Sequence, residues 1–187
     1  MIILASASPR RQELLTQIKC DYRIVVSNAV EDDRQNIPPE SLVIHNAILK
    51  AKAVAQSQTE NTVVLGADTI VFMNGRIYGK PSCREEAILM LSDLVGKSHE
   101  VYTGIALVRG NKIYSDFEKT MVTLMKLSTE EIEAYVDTKE PMDKAGAYAI
   151  QGIASVYIEK IEGCYTNVVG LPLNKLLKLS RKAGIDL

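Results

Sequence analysis

Residues 62–81 read TVVLGADTIVFMNGRIYGKP. Thr62 to Met73 is a β-rich run, Asn74-Gly75 is the two-residue signal of a tight hairpin, and Arg76 to Tyr78 returns the chain. Asp68 therefore sits in or beside a strand, inside the otherwise apolar run Val63 to Val71. Toward the N-terminus, Met1 to Ala5 reads as a short buried strand. Ser8-Pro9 then offers an N-cap with proline at the first helical position, ahead of a stripe of Leu14, Leu15 and Ile18. Tyr22 to Ser27 reads as a second strand and Glu31 to Pro39 as a polar loop. Its closing proline opens a helix to about Ala55, with Ile44, Ile48, Ala51 and Ala55 on one face and Lys50 and Lys52 elsewhere.

Toward the C-terminus, Ser82 and Glu85 have the spacing of a capping box before Ala87, Ile88, Leu91 and Leu94, and Gly96 is placed to stop that helix. Val101 to Val108 and Ile113 to Leu124 read as paired strands, and a second capping box, Ser128 and Glu131, opens a helix through Ile132, Tyr135 and Val136. Lys139 to Gly152 mixes Gly, Pro and charge and reads as a functional loop. Ile153 to Ile161 reads as a strand, and Pro172 opens a final helix. Alternating helices and strands with one hairpin imply an α/β or α+β mixed sheet with helices against it.

A chain of 187 residues suits one large domain or a compact domain of two lobes. Its formal net charge of -1 supplies no bulk attraction to nucleic acid or an anionic membrane, so a bound anion must be held by local positive groups. With no Trp and two Phe it also lacks the aromatic footprint of a nucleic-acid binder. No stretch approaches a secretory signal or a membrane span, and Cys20, Cys83 and Cys164 form no CxxC pair, so the expected compartment is the reducing cytoplasm. His45 and His99 are too few for a histidine-rich zinc site or a histidine triad. The chemistry is left to carboxylates, amines and hydroxyls.

Ser6-Ala7-Ser8-Pro9-Arg10-Arg11 lies where a strand hands over to a helix, where free N–H groups and the helix dipole favour an anion. The alternative is that Ser8 only caps the helix while both arginines are solvated. A charge at Asp68 within apolar sequence needs compensation by a divalent metal, a lysine or a water it deprotonates, or else by a hydrogen bond to a neighbouring turn. Lys80, between Gly79 and Pro81, and Lys50 are candidate anion ligands or plain surface lysines. GRIYGKP fails as a P-loop: the spacing before Gly-Lys is too short and proline replaces the Ser/Thr. Gln151 has an amide that could pair with a base edge, or cap a turn.

In order, LASASPRRQELL (4–15), GADTIV (66–71), GKP (79–81), His99 to Thr103, EPMDKAGAYAIQG (140–152) and VVGLPL (168–173) closely resemble the Maf nucleotide pyrophosphatases over nearly the whole chain. The resemblance implies a single Maf-like domain over 1–187, with an α/β fold similar to the inosine-triphosphate pyrophosphatases. In that fold a mixed twisted sheet with flanking helices makes two lobes around a nucleotide cleft. It implies magnesium or manganese as cofactor, Asp68 as proton acceptor, and Ser8, Arg11, Glu31, Lys50 and Lys80 at anion- and metal-binding positions, with Asp68 and Glu31 as metal ligands. AGAYAIQG resembles the branch acting on dTTP and UTP, in which Arg10, Thr69 and Gln151 mark substrate preference; a homodimer is an expected assembly. The wording upstream of Lys50, His45 to Leu49, departs from the family's usual pattern. The expected reaction is attack of water on the α-phosphorus with pyrophosphate leaving. The alternatives are hydrolysis of modified nucleotides such as 7-methyl-GTP, or non-catalytic nucleotide binding in the control of septum formation.

Overall fold

A computed structural model describes residues 1–187. Seven strands, β1 (Ile2–Leu4), β2 (Tyr22–Ile24), β3 (Val63–Met73), β4 (Arg76–Tyr78), β5 (Ser98–Arg109), β6 (Lys112–Leu124) and β7 (Ile158–Glu162), form one mixed sheet. Its order is β2-β1-β3-β5-β6-β7, with β4 on β3. β1 runs parallel to β2 and to β3, whereas β4 pairs antiparallel with β3 through the Asn74-Gly75 hairpin, and β7 pairs antiparallel with β6. The helices are α1 (Pro9–Gln17), α2 (Pro39–Ala55), α3 (Arg84–Leu94), α4 (Thr129–Asp137), α5 (Tyr165–Val169) and α6 (Leu173–Ala183). The mixed α/β reading therefore holds. No helix is long and apolar enough to cross a membrane.

The chain divides into two compact units. The first comprises Met1–Thr69, Thr103–Glu118 and Gly170–Leu187; the second comprises Ile70–Tyr102 and Lys119–Val169. In the first, Ile3, Ala5, Val64, Ala106 and Val108 from the strands pack on Ala47, Ala51 and Val54 of α2. The small residues on α2 let it lie close to the strands, and two glycines complete the approach. A Cβ at Gly66 would stand 2.1 Å from the Ala47 carbonyl oxygen, and one at Gly104 2.3 Å from that of Val43. Both clashes are with helix backbone, which no rotamer change relieves. Gly66→Ala is therefore expected to force α2 off β3 and destabilise the protein by about 1–3 kcal/mol, the usual cost of overpacking. Urea unfolding reads this out, and an unchanged midpoint would contradict the packing.

The second unit has its own core, in which Ala87, Met90, Leu91 and Leu94 of α3 and Ile132, Tyr135 and Val136 of α4 meet Val71, Val101, Val122 and Leu124 of the strands. Ser128 and Glu131 make the expected reciprocal capping box on α4. The other expected box does not form. α3 starts at Arg84 with Cys83 as N-cap, and the Ser82 N–H and hydroxyl both donate to Glu86 Oε2, at 2.7 and 2.6 Å, leaving Glu85 out.

Other elements also differ from the sequence reading. Ser8 occupies the N-cap of α1 but makes no side-chain cap bond; its N–H donates to Ser6 Oγ at 3.2 Å. Of the α2 face read from the sequence, Ala51 is fully buried and Ile48 and Ala55 pack partly buried against the same core, while the most deeply buried row, Val43, Ala47, Ala51 and Val54, lies where the two glycines admit the helix. Ile153–Tyr157 is a 3-10 helix, and the strand begins only at Ile158. The Glu140 carboxylate accepts the N–H groups of Ile153, at 2.9 Å, and Ala154, at 3.3 Å, so they are not available to a strand ladder.

Candidate active site

Asp68 lies in the middle of β3 and is 4% exposed. The close approach of α2 at Gly66 brings two side chains of that helix onto its carboxylate. Lys50 Nζ donates to Asp68 Oδ1 at 2.7 Å, and Asn46 Nδ2 donates to Oδ2 at 3.2 Å. The lysine also reaches Glu31 Oε1 at 2.9 Å, so two carboxylates share one ammonium. Among the ways to compensate a carboxylate in apolar sequence, the chain itself supplies a lysine, together with a hydrogen bond from Asn46. Charge-assisted bonds to both oxygens make burial of the ionised carboxylate tolerable.

Asn46 is 2% exposed, and its amide is fully engaged: Oδ1 accepts the Asp32 N–H at 2.8 Å and Nδ2 donates to the Asp32 carbonyl at 3.0 Å. Sequence reading missed this residue. Its one signal is a polar side chain at the spacing of the buried stripe, one turn before Lys50.

On the N-terminal side of the same unit, Arg11 is 9% exposed rather than solvated. Its Nε donates to Gly170 O at 2.8 Å and its Nη1 to Ala67 O at 2.9 Å and Ser6 Oγ at 3.0 Å. Nη2 donates to Thr69 Oγ1 at 3.1 Å. Burial lowers the guanidinium pKa from its ordinary value, and the charges of Asp68 and Glu31 oppose that shift. Thr69 Oγ1 also lies 2.9 Å from Thr103 Oγ1. The residues on either side of Asp68 are therefore fixed by Arg11, and its carboxylate by α2.

The first unit brings together Glu31, Lys50 and Asp68, and around them Arg11 and Thr69, while Ser8 and Arg10 stand partly exposed at the start of α1. Lys80 and Gln151 belong to the second unit, Lys80 exposed just past β4 and Gln151 partly exposed before the left-handed Gly152. In that unit His99 Nε2 lies 2.6 Å from the Tyr148 hydroxyl. Burial pulls the imidazole down to about 4 and pushes the phenol up, which favours the neutral form of both partners of this buried hydrogen bond.

Asp68 and Glu31 are hard oxygen donors that converge on one positive charge, and no third His, Cys, Asp or Glu joins them in a metal-holding group. That donor set fits magnesium or manganese. Such ions keep several waters and use one or two carboxylates together with substrate phosphates, rather than a complete protein cage.

Comparison with known proteins adds the following. A family profile described as "Maf-like protein" matches residues 1–183. The chain is 49% identical to a dTTP/UTP pyrophosphatase of Desulforamulus reducens, covering 100% of this chain and 98% of that one. It is 47% identical to a dTTP/UTP pyrophosphatase of Bacillus anthracis, covering 99% and 96%. Among solved structures, a nucleoside-triphosphatase (dITP/XTP pyrophosphatase) of Mycobacterium abscessus aligns over 98% of this chain and 94% of its own, with 12% identity and a TM-score of 0.44.

Proposed function

The chain belongs to the Maf-like proteins, and on that premise we propose that it hydrolyses nucleoside triphosphates, dTTP and UTP foremost, to the monophosphate and pyrophosphate. The observation that carries the reading is the buried Asp68 carboxylate held by Lys50, with Glu31 on the same ammonium. A carboxylate fixed in this way is a preorganised proton acceptor for a water aimed at the α-phosphorus. Lys50, shared between the two acids, is proposed to meet the incoming phosphate oxygens from its place between them. Asp68 and Glu31 would hold the divalent ion, which would supply charge neutralisation on the phosphates. Ser8, Arg10, Arg11, Thr69 and Lys80 are proposed to bind substrate, and Gln151 to read the base. For Arg11 the structure leaves one N–H for that task, since four hydrogen bonds go to the protein. The cytoplasm is the proposed compartment, in keeping with three cysteines that form no disulfide.

The test is release of pyrophosphate, as distinct from single phosphate, from dTTP, UTP, CTP, GTP and 7-methyl-GTP, with magnesium or manganese and with chelator. Pyrophosphate from dTTP and UTP, lost on chelation, is the expected result. Tight nucleotide binding with no hydrolysis of any substrate would replace the enzyme by a binding protein, and preference for 7-methyl-GTP would move it to another substrate.

A further inference from the structure

We propose that Asn46 is a positioning residue that ties the Glu31-bearing loop to the Asp68 carboxylate, so that the two acids are held as one unit around Lys50. The proposal rests on the hydrolytic reading above. Glu31 lies in an exposed stretch between β2 and α2, its side chain 51% exposed, and by itself such a loop would hold a carboxylate poorly. Its neighbour Asp32 gives its carboxylate to Arg34, which donates at 2.6 Å, and its backbone to Asn46. The Asn46 amide pairs with that backbone through both of its ends. Only one orientation satisfies an N–H and a carbonyl at once: Oδ1 must face the Asp32 N–H and Nδ2 the Asp32 carbonyl. The remaining N–H of Nδ2 is then directed onto Asp68 Oδ2. The loop position thus sets the orientation of the amide, and the amide selects which oxygen of Asp68 it occupies, leaving Oδ1 to Lys50.

Neither an aspartate nor a leucine can do this. Asn46→Asp keeps an acceptor for the Asp32 N–H but removes both donors and sets a second carboxylate against Asp68. Asn46→Leu removes all three bonds at similar volume.

The experiment is a double-mutant cycle between Asn46→Leu and Glu31→Gln, with Asn46→Asp as the second variant should the leucine form not fold. kcat for dTTP is taken per folded enzyme, and amide exchange of Asp32 is followed in the same proteins. Asn46→Leu is expected to lower kcat about tenfold to a hundredfold, as loss of a partner that orients a ligating group does. It should also speed exchange at Asp32. In the Glu31→Gln background the same change should cost less than threefold, because the loop then has no carboxylate to place. A merely structural role would give multiplicative losses. Multiplicative losses, or unchanged exchange at Asp32, overturn the proposal while leaving the hydrolytic reading intact. A wild-type protein that releases no pyrophosphate overturns that reading, and this proposal with it.

Discussion

Asp68→Asn is expected to lose at least about a thousandfold in kcat while keeping its fold, within the range that removal of a general base costs. The substitution is close to isosteric. It keeps an oxygen for Lys50 or Asn46, and Lys50 retains Glu31 as counter-ion, so no buried charge is abandoned. What disappears is the capacity to accept a proton and half of the negative charge available to a divalent ion. Steady-state turnover of dTTP together with thermal unfolding checks both halves of the statement. A folded variant that retained a tenth of wild-type turnover would remove Asp68 from the chemistry.

Arg11→Met should have the largest effect on stability. It deprives the Ala67 and Gly170 carbonyls, and the Ser6 and Thr69 hydroxyls, of a shared donor in a place where the guanidinium is 9% exposed. Buried acceptors left unpaired cost about 1–3 kcal/mol each. With some relaxation and with the hydroxyls turning to other partners, the expected loss is about 3–5 kcal/mol. For a chain of this size that lowers the melting temperature by roughly 10 °C. Arg11→Lys is expected to recover little, since one ammonium cannot span acceptors that a planar fork reaches from three nitrogens. Urea midpoints of both variants decide it, and a wild-type midpoint for Arg11→Met would show that the network is dispensable.

The parts of the fold that were legible in the sequence are those decided locally. Pro9 and Pro39 open their helices, Asn74-Gly75 turns its hairpin, and Ser128 with Glu131 caps α4, each by chemistry complete within a few residues. The misread parts were decided at a distance. Within α2 the apolar face through Ile48, Ala51 and Ala55 could be read, but not that Val43 and Ala47 would lie deepest; Gly66 and Gly104, on two strands, decide that by admitting the helix backbone. The segment 153–157 is apolar enough for a strand but is captured by Glu140, thirteen residues before Ile153. At the site, the need of Asp68 for a partner could be read from its apolar surroundings, but not that Lys50 and Asn46 would supply it. Both depend on the register of α2 over β3.

Seen as a charge balance, Arg11 and Lys50 offset Asp68 and Glu31, and the four together sum to zero formal charge. A triphosphate entering such a cluster brings several negative charges and meets no net positive charge there, only the donors that Arg11 and Lys50 can turn to it. The form that docks should therefore be the nucleotide already complexed with its cation. Apparent affinity should then follow the concentration of that complex, and excess free nucleotide should do little more than withdraw the ion.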